Sequence, residues 1–321
     1  MLGRWLLVWF LAISALALYW PRGWADPFLA LTGQQLSWLI CVAMFFIGAM
    51  LPKEEVRGVA RRWTTVFSGT AVQYGSMPLL AYVFGKLFQL SEDDFIGIVM
   101  VGCVPGAMAS NLITMNARGN ASYSVGLTTL ATLLSPIAVP IALGLTLQKW
   151  DTAQIELLLN AAITLLWSVV LPVMVGFAIA QLSASAGKLL NGIGPTIANL
   201  AILWVIAAVI AMNRERLQYL DGVLISALVC VNGFGYLAGY FGGMALRLDE
   251  PMRRALTIEV GMQNAGLGAT LALRLFPDRP GVAIAPALFM FGCMLTGTLL
   301  ASAWAFWDQR SGRVVNPGPK A

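Results

Sequence analysis

Histidine is missing altogether from the 321 residues, and Asp, Glu, Lys and Arg together make up only 11%. The first absence removes imidazole relays, Ser–His and Cys–His nucleophiles, and the commonest metal ligand. The second excludes a soluble globule, in which about a quarter of residues are charged. Cysteine is scarce and scattered: Cys41, Cys103, Cys230 and Cys293 each sit inside an apolar run. That leaves neither a disulfide framework nor a CxxC metal spacing, so the four read as small packing residues. No basic run is interleaved with aromatics, so the excess of 20 Lys and Arg over 15 Asp and Glu is no nucleic-acid footprint. With no cysteine cluster and no paired carboxylates within the apolar runs, a membrane-embedded enzyme lacks its chemistry.

What is abundant is hydrocarbon, with 59% of residues hydrophobic. Taking apolar runs of at least about 17 residues as membrane spans, the chain divides into ten: residues 5–20, 34–51, 63–88, 95–117, 121–147, 153–181, 193–212, 221–246, 255–276 and 282–307. Connections are brief, so the expected fold is an all-α polytopic membrane protein without an extramembrane domain. The polar, Gly/Pro-rich residues 308–321 read as a disordered tail.

Positive charge sets the expected orientation. Arg4, Lys53, Arg57, Arg61, Arg62, Arg118, Lys188, Arg247, Arg253, Arg254, Arg310, Arg313 and Lys320, 13 of the 20 basic residues, fall on one side, which places both termini in the cytoplasm. The loop at Glu92, Asp93 and Asp94 contains no basic residue and fits the opposite side. The Asn120-Ala121-Ser122 sequon then lies on the cytoplasmic side and carries no glycan. Arg4, the run to Trp20 and Ala15-Leu16-Ala17 could pass for a signal peptide, but its removal would leave an odd number of spans.

Ten spans divide into five plus five, and an odd repeat unit forces the second copy to be inverted, a common transporter plan. The expected halves are residues 1–150 and 151–307. Around the fourth span the chain reads GCVPGAMASNLITMNARGN, and around the ninth EVGMQNAGLGATLALRLFPDRP. Each has Gly or Pro, a polar residue followed by Asn, a short apolar run, a polar turn and a long apolar segment. Gly/Pro-interrupted segments at corresponding places are a pointer to a binding site. The ninth also contains Glu259, Gln263 and Asn264, which are costly in hydrocarbon unless satisfied. An ordinary helix end is the alternative, since Arg253 and Arg254 lie within about 9 Å of Glu259 at the helical rise.

A broken helix frees carbonyls at the end of its first half and amides at the start of its second. The carbonyls with Glu259, Gln263, Ser110 and Asn111 make oxygen-rich surroundings for a hard cation, and the amide ends suit an anion. A cation site beside an anion site is what a cation-coupled carrier of organic anions requires.

EVGMQNAGLGATLA together with PGAMASNLITMNARGNASYSVGLTTLATLLSPI closely resembles the bile acid:sodium symporter family, whose bacterial members include carriers of pantoate-like precursors. The resemblance covers essentially the whole chain. It implies two crossing discontinuous helices, the fourth and ninth spans, that hold two sodium ions within a core domain moving against a panel domain. Ser110, Asn111, Ser124, Thr128 and Glu259 are implied as the first sodium site. Gln73, Glu259, Gln263 and the carbonyls of Val260 and Met262 are implied as the second. Asn264 resembles the family's substrate-facing asparagine. Ala109, beside Met108, is the other substrate-side position, and here it offers a small apolar surface in place of a hydroxyl.

The expectation is therefore a sodium-coupled symporter of a small organic anion, a pantoate- or 2-keto-acid-like carboxylate or a bile acid, in the cytoplasmic (inner) membrane. Proton coupling through Glu259 is the first rival, and a passive channel or receptor the second. Other polar or small residues have plainer readings. Gly235, Gly239 and Gly243 form a small-xxx-small stripe for helix packing. Lys86, Glu156 and Arg274 near span ends snorkel, and Trp63, Trp150 and Trp307 anchor at the interface.

Overall fold

The computed structural model describes residues 6–21, 24–31, 34–54, 57, 62–147, 152–218 and 222–310. Arg4, Arg22, Arg61, Lys149, Trp150, Arg313 and Lys320 lie outside them. The helices are α1 (Leu6–Leu18), α2 (Gln34–Ala49), α3 (Trp63–Leu87), α4 (Glu92–Cys103), α5 (Ala109–Asn116), α6 (Ala121–Leu147), α7 (Thr152–Leu165), α8 (Leu171–Leu182), α9 (Ala184–Met212), α10 (Arg214–Gln218), α11 (Gly222–Ala245), α12 (Glu250–Gly261), α13 (Ala265–Leu275) and α14 (Ile284–Arg310). Among the described residues there is no strand, only an isolated bridge between Gly106 and Gln263.

Local chemistry sets the helix ends. Ser91, Asp249 and Asn264 accept the backbone N–H of Asp94, Met252 and Leu267 at the starts of α4, α12 and α13, as N-caps do. Glu92, Asp93 and Asp94 add negative charge to the first turn of α4. Asn120 is buried and accepts the N–H of Tyr123 to cap α6. Between α7 and α8 a π-turn, Leu166–Val170, joins the two into one long apolar rod. Pro172 follows it; its ring would crowd the Ser168 carbonyl four residues back, and the wider turn relieves this.

Five helical stretches among the described residues are long and apolar enough to cross a membrane: Ala121–Leu147, Ile155–Leu182, Ala184–Met212, Gly222–Ala245 and Pro280–Arg310. Large apolar side chains such as Leu79, Ile137, Trp167 and Phe241 are exposed on the outside, as lipid contact requires. The protein is thus a polytopic helical membrane protein. The fourth and ninth apolar runs are each divided into two short helices, of 12 and 8 residues and of 12 and 11.

Buried apolar side chains form two clusters. One gathers Leu36, Ile40 and Met44 of α2, Val205 to Ala211 of α9 and Leu267 to Leu273 of α13. The other gathers Met77 of α3, Leu127 of α6, Leu228 of α11, Leu256, Ile258 and Val260 of α12 and Phe289 of α14. The halves of one interrupted helix, α12 and α13, therefore root mainly in different clusters, with Ala265 at the start of α13 in the second. The glycine stripe of α11 packs as expected: a Cβ on Gly239 would lie 2.7 Å from the Leu256 carbonyl oxygen, and one on Gly243 2.9 Å from Arg253 Cγ.

Charges collect at the two ends of the bundle, about 36 Å apart along α11. At one end Arg216 binds Asp93 and Asp94, Arg279 binds Glu92 and Asp93, and Arg214 binds Asp26. Hydrogen bonds to Asp93 and then Glu92 raise the pKa of the Arg279 guanidinium above its ordinary value. At the other end Arg254 makes a bidentate pair with Asp308 and also reaches Glu250 and the Ala117 carbonyl. That anchor carries α14 past Trp307 to Arg310, so residues 308–310 are helical and only 311–321 of the expected tail lie outside the described residues.

Candidate ion and substrate site

Pro105 disfavours helical backbone at Val104, which is extended at φ −73°, ψ 157°, and α4 stops there. In the second interruption Met262 is extended at φ −112°, ψ 102°, and Asn264 restarts the helix as the cap of α13. The two gaps then satisfy each other. The Ala107 N–H donates to the Met262 carbonyl at 2.9 Å, and the Asn264 N–H donates to the Pro105 carbonyl at 2.8 Å. Backbone groups that a broken helix leaves open in hydrocarbon thus find partners in the other break.

Glu259, one turn before the second gap, is 0% exposed. Its carboxylate accepts from Ser110 of α5 at 2.5 Å and from Ser124 and Thr128 of α6 at 3.4 and 2.6 Å. Thr114, one turn after Ser110, lies 3.3 Å from the Ser124 hydroxyl. No basic side chain bonds to Glu259 among the described residues. Arg254 turns away to Asp308, and Arg253 lies over the Tyr240 ring. Glu259 does lie in the last turn of α12, but among the described residues neither arginine answers its charge, and hydroxyls donate to its carboxylate.

Beside it, the Gln73 side-chain amide donates to Gln263 Oε1 at 3.2 Å, and Gln263 donates to the Val260 carbonyl at 2.7 Å. Gln73 Oε1 and Asn111 Oδ1 are buried oxygens with no hydrogen-bond partner among the described residues. A Cβ placed on Gly106 would fall on the Glu259 carboxylate and 3.3 Å from the Gln73 amide nitrogen, so the glycine holds the two groups on one space. The buried Glu259 carboxylate with the neighbouring Gln73 amide, whose oxygen is unpartnered, fits a hard cation.

Residues 38–219 match the Sodium Bile acid symporter family. The chain is 30% identical over 301 residues to the uncharacterized sodium-dependent transporter YocS of Bacillus subtilis (strain 168), covering 93% of this chain and 90% of that one. It is 30% identical over 281 residues to the probable sodium/metabolite cotransporter BASS1, chloroplastic, of Arabidopsis thaliana, covering 88% and 68%. Against the ileal sodium/bile acid cotransporter of Oryctolagus cuniculus it is 29% identical over 239 residues, covering 74% and 68%. The chain belongs to the sodium bile acid symporter family. Members of this family are transporters and not enzymes, in keeping with the missing histidine.

Of the residues the family resemblance singled out, the structure brings Ser110, Ser124 and Thr128 onto Glu259, and brings Gln73 and Gln263 onto each other. The Val260 carbonyl is held by Gln263 and the Met262 carbonyl by Ala107. Asn111 lies next to Ser110, but its side-chain oxygen is not bonded to Glu259. Asn264 Oδ1 caps α13, and its Nδ2 makes no hydrogen bond among the described residues. Ala109 opens α5, half-buried against the second apolar cluster. Sequence reasoning passed over Thr114 and Gly106. Thr114 was findable, since an i, i+4 pair with Ser110 shares one helix face; Gly106 read only as part of a break.

Proposed function

We propose that this chain is a sodium-driven symporter of a small organic anion, a pantoate- or 2-keto-acid-like carboxylate or a bile acid, working by alternating access in the cytoplasmic membrane. The observation that carries the reading is Glu259: a fully buried carboxylate with three hydroxyl donors and no basic partner among the described residues. Such a charge is costly in hydrocarbon until a cation joins it. Two sodium ions share it. One takes Ser110, Asn111, Ser124, Thr128 and Glu259; the other takes Glu259, Gln73, Gln263 and the carbonyls of Val260 and Met262. Binding neutralises Glu259 and stiffens the paired breaks. Asn264 Nδ2, which has no hydrogen bond among the described residues, then receives the anion with the α13 amino end, and Ala109 lines its apolar side. Each ligand favours the state the other completes, which is the coupling.

The two apolar clusters support a core that moves against a panel, and the matched breaks support ten spans in two inverted halves, 1–150 and 151–307, with both termini cytoplasmic. With two Na⁺ per monovalent anion, one net charge crosses per cycle, about 2.3 kcal/mol per 100 mV. The test is uptake of radiolabelled pantoate, pyruvate and taurocholate into proteoliposomes under a sodium gradient. Uptake of at least one above its outside concentration, lost when choline replaces sodium, is the expected result. Uptake that ignores sodium and follows a pH gradient would replace sodium by protons, and equilibration without accumulation would make the chain a channel.

A further inference from the structure

At the second break three successive carbonyls go three ways. Those of Val260 and Met262 stay at the crossing, held by Gln263 and Ala107. The one between them, Gly261, leaves it and accepts from Asn232 of α11 at 2.8 Å. Asn232 is itself held: Thr296 of α14 lies 2.7 Å from its Oδ1, and the Tyr236 hydroxyl lies 3.0 Å from Thr296. Chemistry fixes the direction of this chain. The Gly261 carbonyl only accepts, so it faces the amide NH₂; the amide oxygen only accepts, so Thr296 donates to it and receives from Tyr236. A Cβ on Gly261 would fall on the Tyr236 ring, so the glycine is what lets α11 come this close.

We propose that Asn232, oriented by Thr296 and Tyr236, is a positioning residue for the cation held by the Val260 and Met262 carbonyls. A peptide plane is rigid, so pinning the Gly261 oxygen towards α11 fixes the 261–262 plane and restrains ψ of Gly261 and φ of Met262, the torsions that join it to the planes carrying the Val260 and Met262 carbonyls. Without the pin, the break keeps its cap at Asn264 and its bridge to Gly106 but loses its aim. This inference rests on the sodium reading above and deepens it. It adds α11 and α14 to the elements that determine sodium affinity, although neither supplies a ligand.

Sodium itself is the probe: thermal unfolding of the purified protein is followed while NaCl replaces choline chloride at constant ionic strength. Bound sodium raises stability according to its affinity. Asn232→Ala and Thr296→Val should raise the half-effective sodium concentration about tenfold, the loss of one buried hydrogen bond of about 1.4 kcal/mol. Thr296→Ser, which keeps the donor, and Thr298→Val, on the same helix facing outward, should stay within about twofold of wild type. A purely structural role would lower the melting temperature in choline and leave the sodium midpoint in place; that outcome overturns the proposal. If Asn232→Ala does not fold, Thr296→Val against Thr296→Ser decides it. A wild-type protein that sodium does not stabilise would instead sink the sodium reading itself, and this inference with it.

Discussion

Glu259 in α12 and Asp308 in α14 are both buried carboxylates, 0% and 4% exposed. Asp308 meets a guanidinium squarely, with Arg254 donating to both of its oxygens at 2.7 and 2.9 Å. Glu259 meets hydroxyls and no basic side chain among the described residues. The first charge is settled within the fold; on the proposed reading, the second leaves its balance to an arriving ion.

Removing each carboxylate tests that division. Glu259→Ala should abolish sodium-driven uptake while the protein stays folded in choline, because only neutral hydroxyls lose an acceptor and no buried guanidinium or ammonium is left uncompensated; uptake at the wild-type rate would break the comparison at its root. Asp308→Asn should do the reverse, lowering stability by about 1.5–3 kcal/mol, since Arg254 loses its bidentate carboxylate and keeps Glu250 and the Ala117 carbonyl. Its sodium midpoint, read by the same thermal titration, should stay near wild type, and a large shift would mean that the end lock also tunes the site. Gln263→Leu removes the link between Gln73 and the Val260 carbonyl and should raise half-saturating sodium about tenfold, or about 1.4 kcal/mol. Thr114→Val touches only the Ser124 hydroxyl and should cost about threefold in sodium affinity, within the range of one ordinary hydrogen bond. An unchanged Thr114→Val protein would restrict the hydroxyl shell to Ser110, Ser124 and Thr128.

Much of this site was legible because its signals are local. PGAMASN and EVGMQNAG each place Pro or Gly beside polar residues in an apolar run, and hydrocarbon tolerates that only where the residues have work or partners. The glycine stripe of α11 was equally plain, since small residues every fourth position can only serve close packing. The end lock was not legible. Asp308 stands 54 residues from Arg254 and looked like the first residue of a polar tail. Nor was Asn232, which in isolation is one amide in a long apolar helix and whose meaning depends on the Gly261 carbonyl 29 residues away.

The sequence alone determined that the chain lives in a membrane, where it is interrupted, and that a carboxylate stands beside one interruption. Those follow from composition and from backbone chemistry within a few residues. Only the tertiary structure decided which partners each polar group receives. Ser110 reaches Glu259 across 149 residues and Gln73 reaches Gln263 across 190, and contacts of that reach are set by how whole helices pack. Hydrocarbon demands that every buried polar group be answered, and packing chooses whether the answer is a guanidinium, a hydroxyl or an arriving ion.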